Sequence, residues 1–209
     1  RELFEIIPLE FDITTTPAGV VSGIKGGRII GRSMFMKRLS PLDPKTGKKM
    51  SDLRVSPYYS AVGEAVEVAV NVETGQVKPL KIVAVAEVGK AINPELVKGQ
   101  ILGAAIMGLS SALFEGLAVS EGRVVNTNLA DYKVLYAPDA PEVEVKILES
   151  PGTDEHYYGP YGAKSVGEVG IMAIAAAARN AIHDAVGVWI NDLPITPERV
   201  LEALEKSGK

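Results

Sequence analysis

The sequence contains no cysteine, which rules out disulfides, thiolate metal sites and cysteine-held iron–sulfur clusters within its 209 residues. Histidine is nearly as scarce. His156 and His183 are the only two, and neither belongs to an HExxH-like pattern, so no metal held by side chains is expected. Clustered positive charge is lacking as well: the net charge is −4, and the densest basic stretch is the short Lys45–Lys49 region. Nucleic acid and anionic membrane surfaces are therefore not expected as partners. The longest apolar run, Val169 to Ala178, falls far below the roughly 20 residues of a membrane span. Arg1 to Gly19 is broken by charges and by Pro8 and shows no signal-peptide pattern. These features are compatible with a cytoplasmic location. The first residue is Arg rather than Met, so a fragment or processed product is expected.

What the chain does have is glycine, concentrated where it matters most in Gly159-Pro160-Tyr161-Gly162-Ala163-Lys164-Ser165-Val166-Gly167-Glu168-Val169-Gly170. Such a stretch leaves backbone amides bare, and the apolar run from Ile171 to Ala178 behind it is a strong helix former. A glycine-rich loop entering a helix N-terminus is a ready anion site. Glu168 stands at the junction. The helix dipole favours its ionised form, whereas Val166, Val169 and Ile171 favour desolvation and a raised pKa. A carboxylate in that balance suits a general base, although many such glutamates only complement a helix dipole. A P-loop does not fit, because Ala163 separates Gly162 from Lys164. A Ser-Lys nucleophile pair fits poorly, because Lys164 and Ser165 are adjacent and their side chains diverge.

Elsewhere the periodicity predicts an α+β fold. Residues 1–57 form a poorly readable N-terminal segment of strands and loops, with a hairpin turn expected within Gly23–Gly31 in preference to a phosphate-cradling loop, and an exposed loop over Ser40–Asp52. Residues 58–209 form the second domain. It opens with a strand at 65–72, a turn at Glu73–Gln76 and a strand at 77–88, an antiparallel hairpin. Apolar residues from Leu96 to Leu113 recur with helical period, predicting a helix over 95–115 that starts at Pro94. Gly103 and Gly108 within it would permit close packing or the approach of a cofactor. A small hairpin is expected around Glu121-Gly122 and a strand over Val143–Leu148. A second long helix is expected over 168–186, apolar all round and buried, with its C-cap at Gly187. His183 on that helix reads as a hydrogen-bonded structural residue. Thr196-Pro197 opens a final amphipathic helix. The expected architecture is two buried or half-buried long helices packed on antiparallel strands.

Three segments carry a family resemblance. Gly162-Ala163-Lys164-Ser165-Val166-Gly167-Glu168 resembles the catalytic-glutamate loop of the xanthine oxidase family of molybdenum hydroxylases, which includes aldehyde oxidoreductases and aerobic carbon monoxide dehydrogenases. Val88-Gly89-Lys90-Ala91-Ile92-Asn93-Pro94 with Gly99-Gln100-Ile101-Leu102-Gly103-Ala104, and Asn126–Lys133, are similar to two further segments of that family in the same order. Glu87 stands where many relatives have aspartate. The likeness covers 58–205 well and the first fifty residues poorly.

The resemblance implies the second part of a molybdopterin-binding domain, near the C-terminus of a much longer molybdenum subunit. It implies hydroxylation of an aldehyde, N-heterocycle or similar small molecule with oxygen from water, or oxidation of carbon monoxide. Glu168 would be the base, Gln100 would hydrogen-bond near the pterin, and the backbone of Ala163, Lys164, Ser165, Val166 and Gly167 would lie against the cofactor. The metal would be held by the pterin dithiolene, with a dinucleotide form of the cofactor expected. Iron–sulfur clusters and FAD would reside on partner chains or domains, the N-terminal half of the molybdenum subunit would be a further partner, and the assembly would be an oligomer. A non-catalytic scaffold or assembly module that keeps the fold is the alternative.

Overall fold

The computed structural model describes residues 20–22, 30–32, 42–51, 56, 58–150 and 159–208. The readings made for 1–19, 23–29 and 151–158, His156 included, lie outside them. The chain divides into two compact units, Arg1–Pro57 and Tyr58–Lys209. In the first, β1 (Val20–Ser22) pairs antiparallel with β2 (Ile30–Arg32). Farther on in that unit, Asp43 Oδ1 accepts the amides of Lys45 at 2.7 Å and Thr46 at 3.3 Å, closing an exposed turn.

The second unit is built on a three-stranded sheet. Strands β3 (Ala61–Val70) and β4 (Val77–Glu87) form the antiparallel hairpin that their alternating pattern predicts. Its turn is tied by Asn71, whose Oδ1 accepts the amides of Glu73 (2.9 Å) and Thr74 (3.1 Å). Pro79 cannot donate to the ladder, and the register slips beside it between Glu67 and Val68. Strand β7 (Glu142–Leu148) then pairs with β4 along Lys81–Glu87, past the proline and parallel rather than antiparallel. The sheet is therefore mixed, since a helical crossover links β4 to β7.

That crossover is α1 (Pro94–Leu113), with Asn93 as N-cap accepting the Leu96 amide at 3.1 Å and Pro94 in the first turn. Its length and composition would also suit a membrane span, but Ile101, Ala105, Leu109 and Ala112 are fully buried in the core. After α1, β5 (Val119–Ser120) and β6 (Arg123–Val124) form the expected small hairpin. Its turn residues Glu121 and Gly122 both have positive φ, as a tight hairpin needs. The Asn126–Lys133 segment follows as a knot of local bonds. Asn126 Oδ1 accepts the Ala118 amide at 2.8 Å, Asn128 caps the short α2 (Leu129–Tyr132), and the Tyr132 hydroxyl donates to Glu115 at 2.8 Å.

The second long helix differs from its expectation in two ways. It begins at Ile174 rather than 168: α3 spans Ile174–Val186, preceded by a 3₁₀ turn over Val169–Ile171. Gly167 and Gly170 have poor helix propensity, and Gly170 is pressed so close to α1 that a Cβ there would lie 2.6 Å from the Ile101 carbonyl oxygen. Nor is α3 buried all round. Ile174, Ala178 and Ile182 form its one buried face, and alanines tolerate the half-exposed remainder. Gly187 ends it in the left-handed conformation, φ 73°. His183 stacks on Trp189 at 3.6 Å, with the Arg179 guanidinium 4.3 Å from a ring of the same indole. Helix α4 (Pro197–Lys206) closes the unit, capped by Thr196 and burying Val200 and Leu204.

Both long helices cover one face of the sheet, α3 over β3 and α1 over β4 and β7, and they pack on each other. The main core joins Ile82 of β4, Leu109 of α1, Ile174 and Ile182 of α3, and Ile195, Val200 and Leu204 near the end of the chain. A second cluster, with Ala84, Ala86, Val88, Ile101 and Val169, lies beneath the loop that ends in Glu168. The fold is α+β.

Candidate functional site

The C-terminal end of β4 organises the site. Beyond Glu87 the chain turns through Gly89 (φ 63°) toward the N-terminus of α1, and the 162–164 segment lays itself along that turn. The Lys90 amide donates to the Gly162 carbonyl at 2.8 Å and the Lys164 amide to the Val88 carbonyl at 2.9 Å. Gly159 closes the loop at its base, its amide donating to the Ala163 carbonyl at 2.9 Å.

These bonds hold 162–164 but stop short of the residues that follow. Among the described residues, the amides of Ser165, Val166 and Gly167 donate to no acceptor, although the Ser165 carbonyl accepts the Ser60 hydroxyl at 3.0 Å. Bare adjacent amides of this kind are what a hydrogen-bond-accepting ligand needs. Of these three residues Val166 lines a groove of about 230 Å³, which it and Ala163 and Lys164 share with Gln100, Leu96 and Ile92 of the α1 side. Gln100, separated from the loop by more than sixty residues in sequence, is thereby brought to it with its side chain exposed. A larger hollow of about 740 Å³, walled by Pro79, Phe114, Pro138 and Pro197 among others, contains none of the site residues.

Glu168 itself is exposed and does not line the groove. It is the residue before the 3₁₀ turn and makes no side-chain capping bond, while its carbonyl accepts the Ile171 amide at 3.2 Å. The α-helical dipole invoked from the sequence starts six residues later, and the desolvating walls expected from Val166, Val169 and Ile171 do not enclose it here. The Lys164 ammonium does not serve the groove either. It is ion-paired with Glu87 and donates to the Tyr59 carbonyl at 2.9 Å.

One carboxylate went unnoticed in the sequence. Glu64 of β3 reaches to the start of α3, where its Oε2 accepts the Ala173 amide at 3.1 Å, while its Oε1 is buried with no partner. Burial pushes its carboxyl up to about 7, opposed by the Ala173 hydrogen bond. Glu64 falls in phase with Val62, Val66, Val68 and Val70, the half-buried side of β3, and that alternation was the signal in the sequence. Which amide it meets there depends on how α3 is laid across β3.

Comparison with known proteins then decides the family: the molybdopterin cofactor-binding domain matches residues 16–141. The chain belongs to the molybdopterin cofactor-binding domain family. Among its relatives, the aldehyde oxidoreductase molybdenum-binding subunit of Escherichia coli K12 is 39% identical over 144 residues, 68% of this chain and 19% of that one. A probable xanthine dehydrogenase subunit from Bacillus subtilis 168 is 38% identical over 72% of this chain and 20% of its own length. In three dimensions, quinoline 2-oxidoreductase from Pseudomonas putida 86 matches 66% of this chain and 18% of that chain, with a TM-score of 0.61 and 31% identity. A copper–molybdenum carbon monoxide dehydrogenase shares the fold at 24% identity and a TM-score of 0.58, covering 68% of this chain and 18% of that one. The chain thus corresponds to one portion, about a fifth of the length, of molybdenum-binding oxidoreductase subunits. The molybdopterin-binding domain fits what is built here, a groove lined by the polar side chain of Gln100 and by Val166 of a loop with unsatisfied amides.

Proposed function

We propose that this chain supplies one wall of the molybdopterin site, and the catalytic base Glu168, to a molybdenum hydroxylase. Its substrate would be an aldehyde, an N-heterocycle or a similar small molecule, in line with relatives named for aldehydes, xanthine and quinoline. Oxidation of carbon monoxide is less favoured, because the relative of that name shares the fold alone. The observation that carries the reading is one groove lined by both Gln100 and Val166, the middle residue of three, Ser165 to Gly167, whose amides are bare.

The bound molybdenum–pterin group, in a dinucleotide form, would supply the two-electron oxidation and the transfer of a water-derived oxygen atom. Ser165, Val166 and Gly167 would hold it through backbone N–H donors, which need no side-chain charge and no ordering of long side chains. Gln100 would add an amide that can donate and accept. Ala163 and the Val88–Lys164 ladder keep the loop close to α1 so that these donors converge. Glu168, exposed at the end of the loop, is free to accept a proton at its carboxylate as the substrate is oxidised. Electrons would leave through iron–sulfur clusters and FAD on partner chains.

The test is Glu168→Gln in the assembled enzyme. Glutamine keeps the volume and hydrogen-bonding reach but cannot take the proton. Molybdenum content should stay near normal while turnover falls about 10²- to 10⁴-fold, the usual loss for a positioned base. Turnover within a few-fold of wild type would remove Glu168 from this role.

A further inference from the structure

Two carboxylates on neighbouring strands have no part in the groove, yet each holds one end of the segment that carries Glu168. Glu87, the last residue of β4, has both oxygens occupied. Oε2 pairs with the Lys164 ammonium and Oε1 accepts the Gly89 amide at 2.8 Å. The pair is largely shut off from solvent, its side chains 16% and 11% exposed, and Lys164 is tied further to the Tyr59 carbonyl. Nine residues on, Glu64 takes the Ala173 amide and leaves one oxygen buried without a partner. Between these points Gly170 is seated against α1 and Glu168 is exposed.

Neither arrangement is an economical source of stability. A shielded ion pair recovers little more than its own desolvation, and a carboxylate with an orphaned oxygen recovers less. What charged groups add over an apolar contact is direction: a lysine held by a carboxylate and a carbonyl has one place to be. We infer that Glu87, through Lys164, and Glu64, through the Ala173 amide, are positioning residues that clamp the two ends of the Glu168 segment to the sheet. This rests on the proposed role of Glu168. The clamp would leave the carboxylate mobile only about a fixed base, so that its approach to a bound substrate is set by the sheet.

The test uses the assembled enzyme with Glu87→Gln, Glu87→Asp, Glu64→Leu and Glu64→Gln, beside Glu168→Gln. Glu87→Gln and Glu64→Leu should lower kcat about 10- to 100-fold, with KM and molybdenum content within about threefold of wild type. Glu87→Asp keeps the negative charge that pairs with Lys164, Glu64→Gln keeps an acceptor for the Ala173 amide, and both should recover most of kcat. Hydrogen exchange gives a readout independent of turnover: the amide of Lys164 in Glu87→Gln, and those of Ile171, Met172 and Ala173 in Glu64→Leu, should exchange at least tenfold faster, with β3, β4 and α1 unchanged. Should Glu87→Gln not fold, Glu87→Met/Lys164→Met replaces the pair by an apolar contact, and the same losses are expected of it. Wild-type kcat and exchange in these variants, with Glu168→Gln inactive, would overturn the clamp and leave the base in place. An active Glu168→Gln would instead remove the base, whatever the clamp variants show.

Discussion

Glu64 shows how a single residue can set a pH dependence for the fold. Its carboxyl, ordinarily near 4.5, rises to about 7 because burial penalises the charged form more than the Ala173 amide favours it. The folded chain therefore binds more protons than the unfolded chain between these two values. Its contribution to stability is fully present below about 4.5 and is lost as pH rises through 7. Partial access of solvent reduces the effect to on the order of 1–2 kcal/mol. Denaturant midpoints measured at pH 5 and pH 8 should show this decline, and Glu64→Gln should flatten it by keeping the acceptor without the charge. An unchanged slope in the variant would assign the pH dependence to other groups.

Helix α1 carries two glycines that look alike in sequence and differ in the structure. A Cβ at Gly108 would lie 2.0 Å from Cγ2 of the fully buried Ile174, whereas a Cβ at Gly103 would meet nothing within 4 Å. The first is therefore the contact that lets α1 and α3 approach. Gly108→Ala should destabilise by about 1–3 kcal/mol through overpacking. Gly103→Ala should stabilise by up to about 1 kcal/mol, since alanine loses less backbone entropy in a helix. Thermal unfolding of the two variants side by side decides this, and equal shifts would refute the packing. The sequence marks both glycines as helix-weakening but cannot say which one faces a partner, because that depends on the rotation of α1 against α3.

Among the described residues of Tyr58–Lys209, the candidate site is an open wall rather than an enclosed one. Its groove of about 230 Å³ is smaller than the roughly 300–1,000 Å³ of pockets that enclose small molecules. Beside it Ile92 and Leu96 are 63% and 68% exposed, and Met172, just past the 3₁₀ turn, is 71% exposed. Isolated, the chain should retain no molybdenum cofactor stoichiometrically and should self-associate to cover this apolar area. Elemental analysis and light scattering, after anaerobic purification from cells that make the cofactor, test both. Near-equimolar molybdenum on a monomer would show a self-sufficient site.

The hairpin of β3 and β4, the span of α1 and the caps at Asn93, Gly187 and Thr196 were all determined by local sequence, because periodicity, turn residues and capping chemistry act over a few neighbours. The family resemblance was equally readable, since it rests on short contiguous segments. Other features needed the tertiary structure. The parallel docking of β7 and the half-exposed face of α3 follow from how one element is laid on another, as does the part of its late start that comes from Gly170 pressing on Ile101. So do the meeting of Gln100 with the 163–166 loop, the engagement of Lys164 by Glu87 and that of the Ala173 amide by Glu64. Each joins residues tens of positions apart, and no local rule of spacing encodes the angle and depth at which their elements pack.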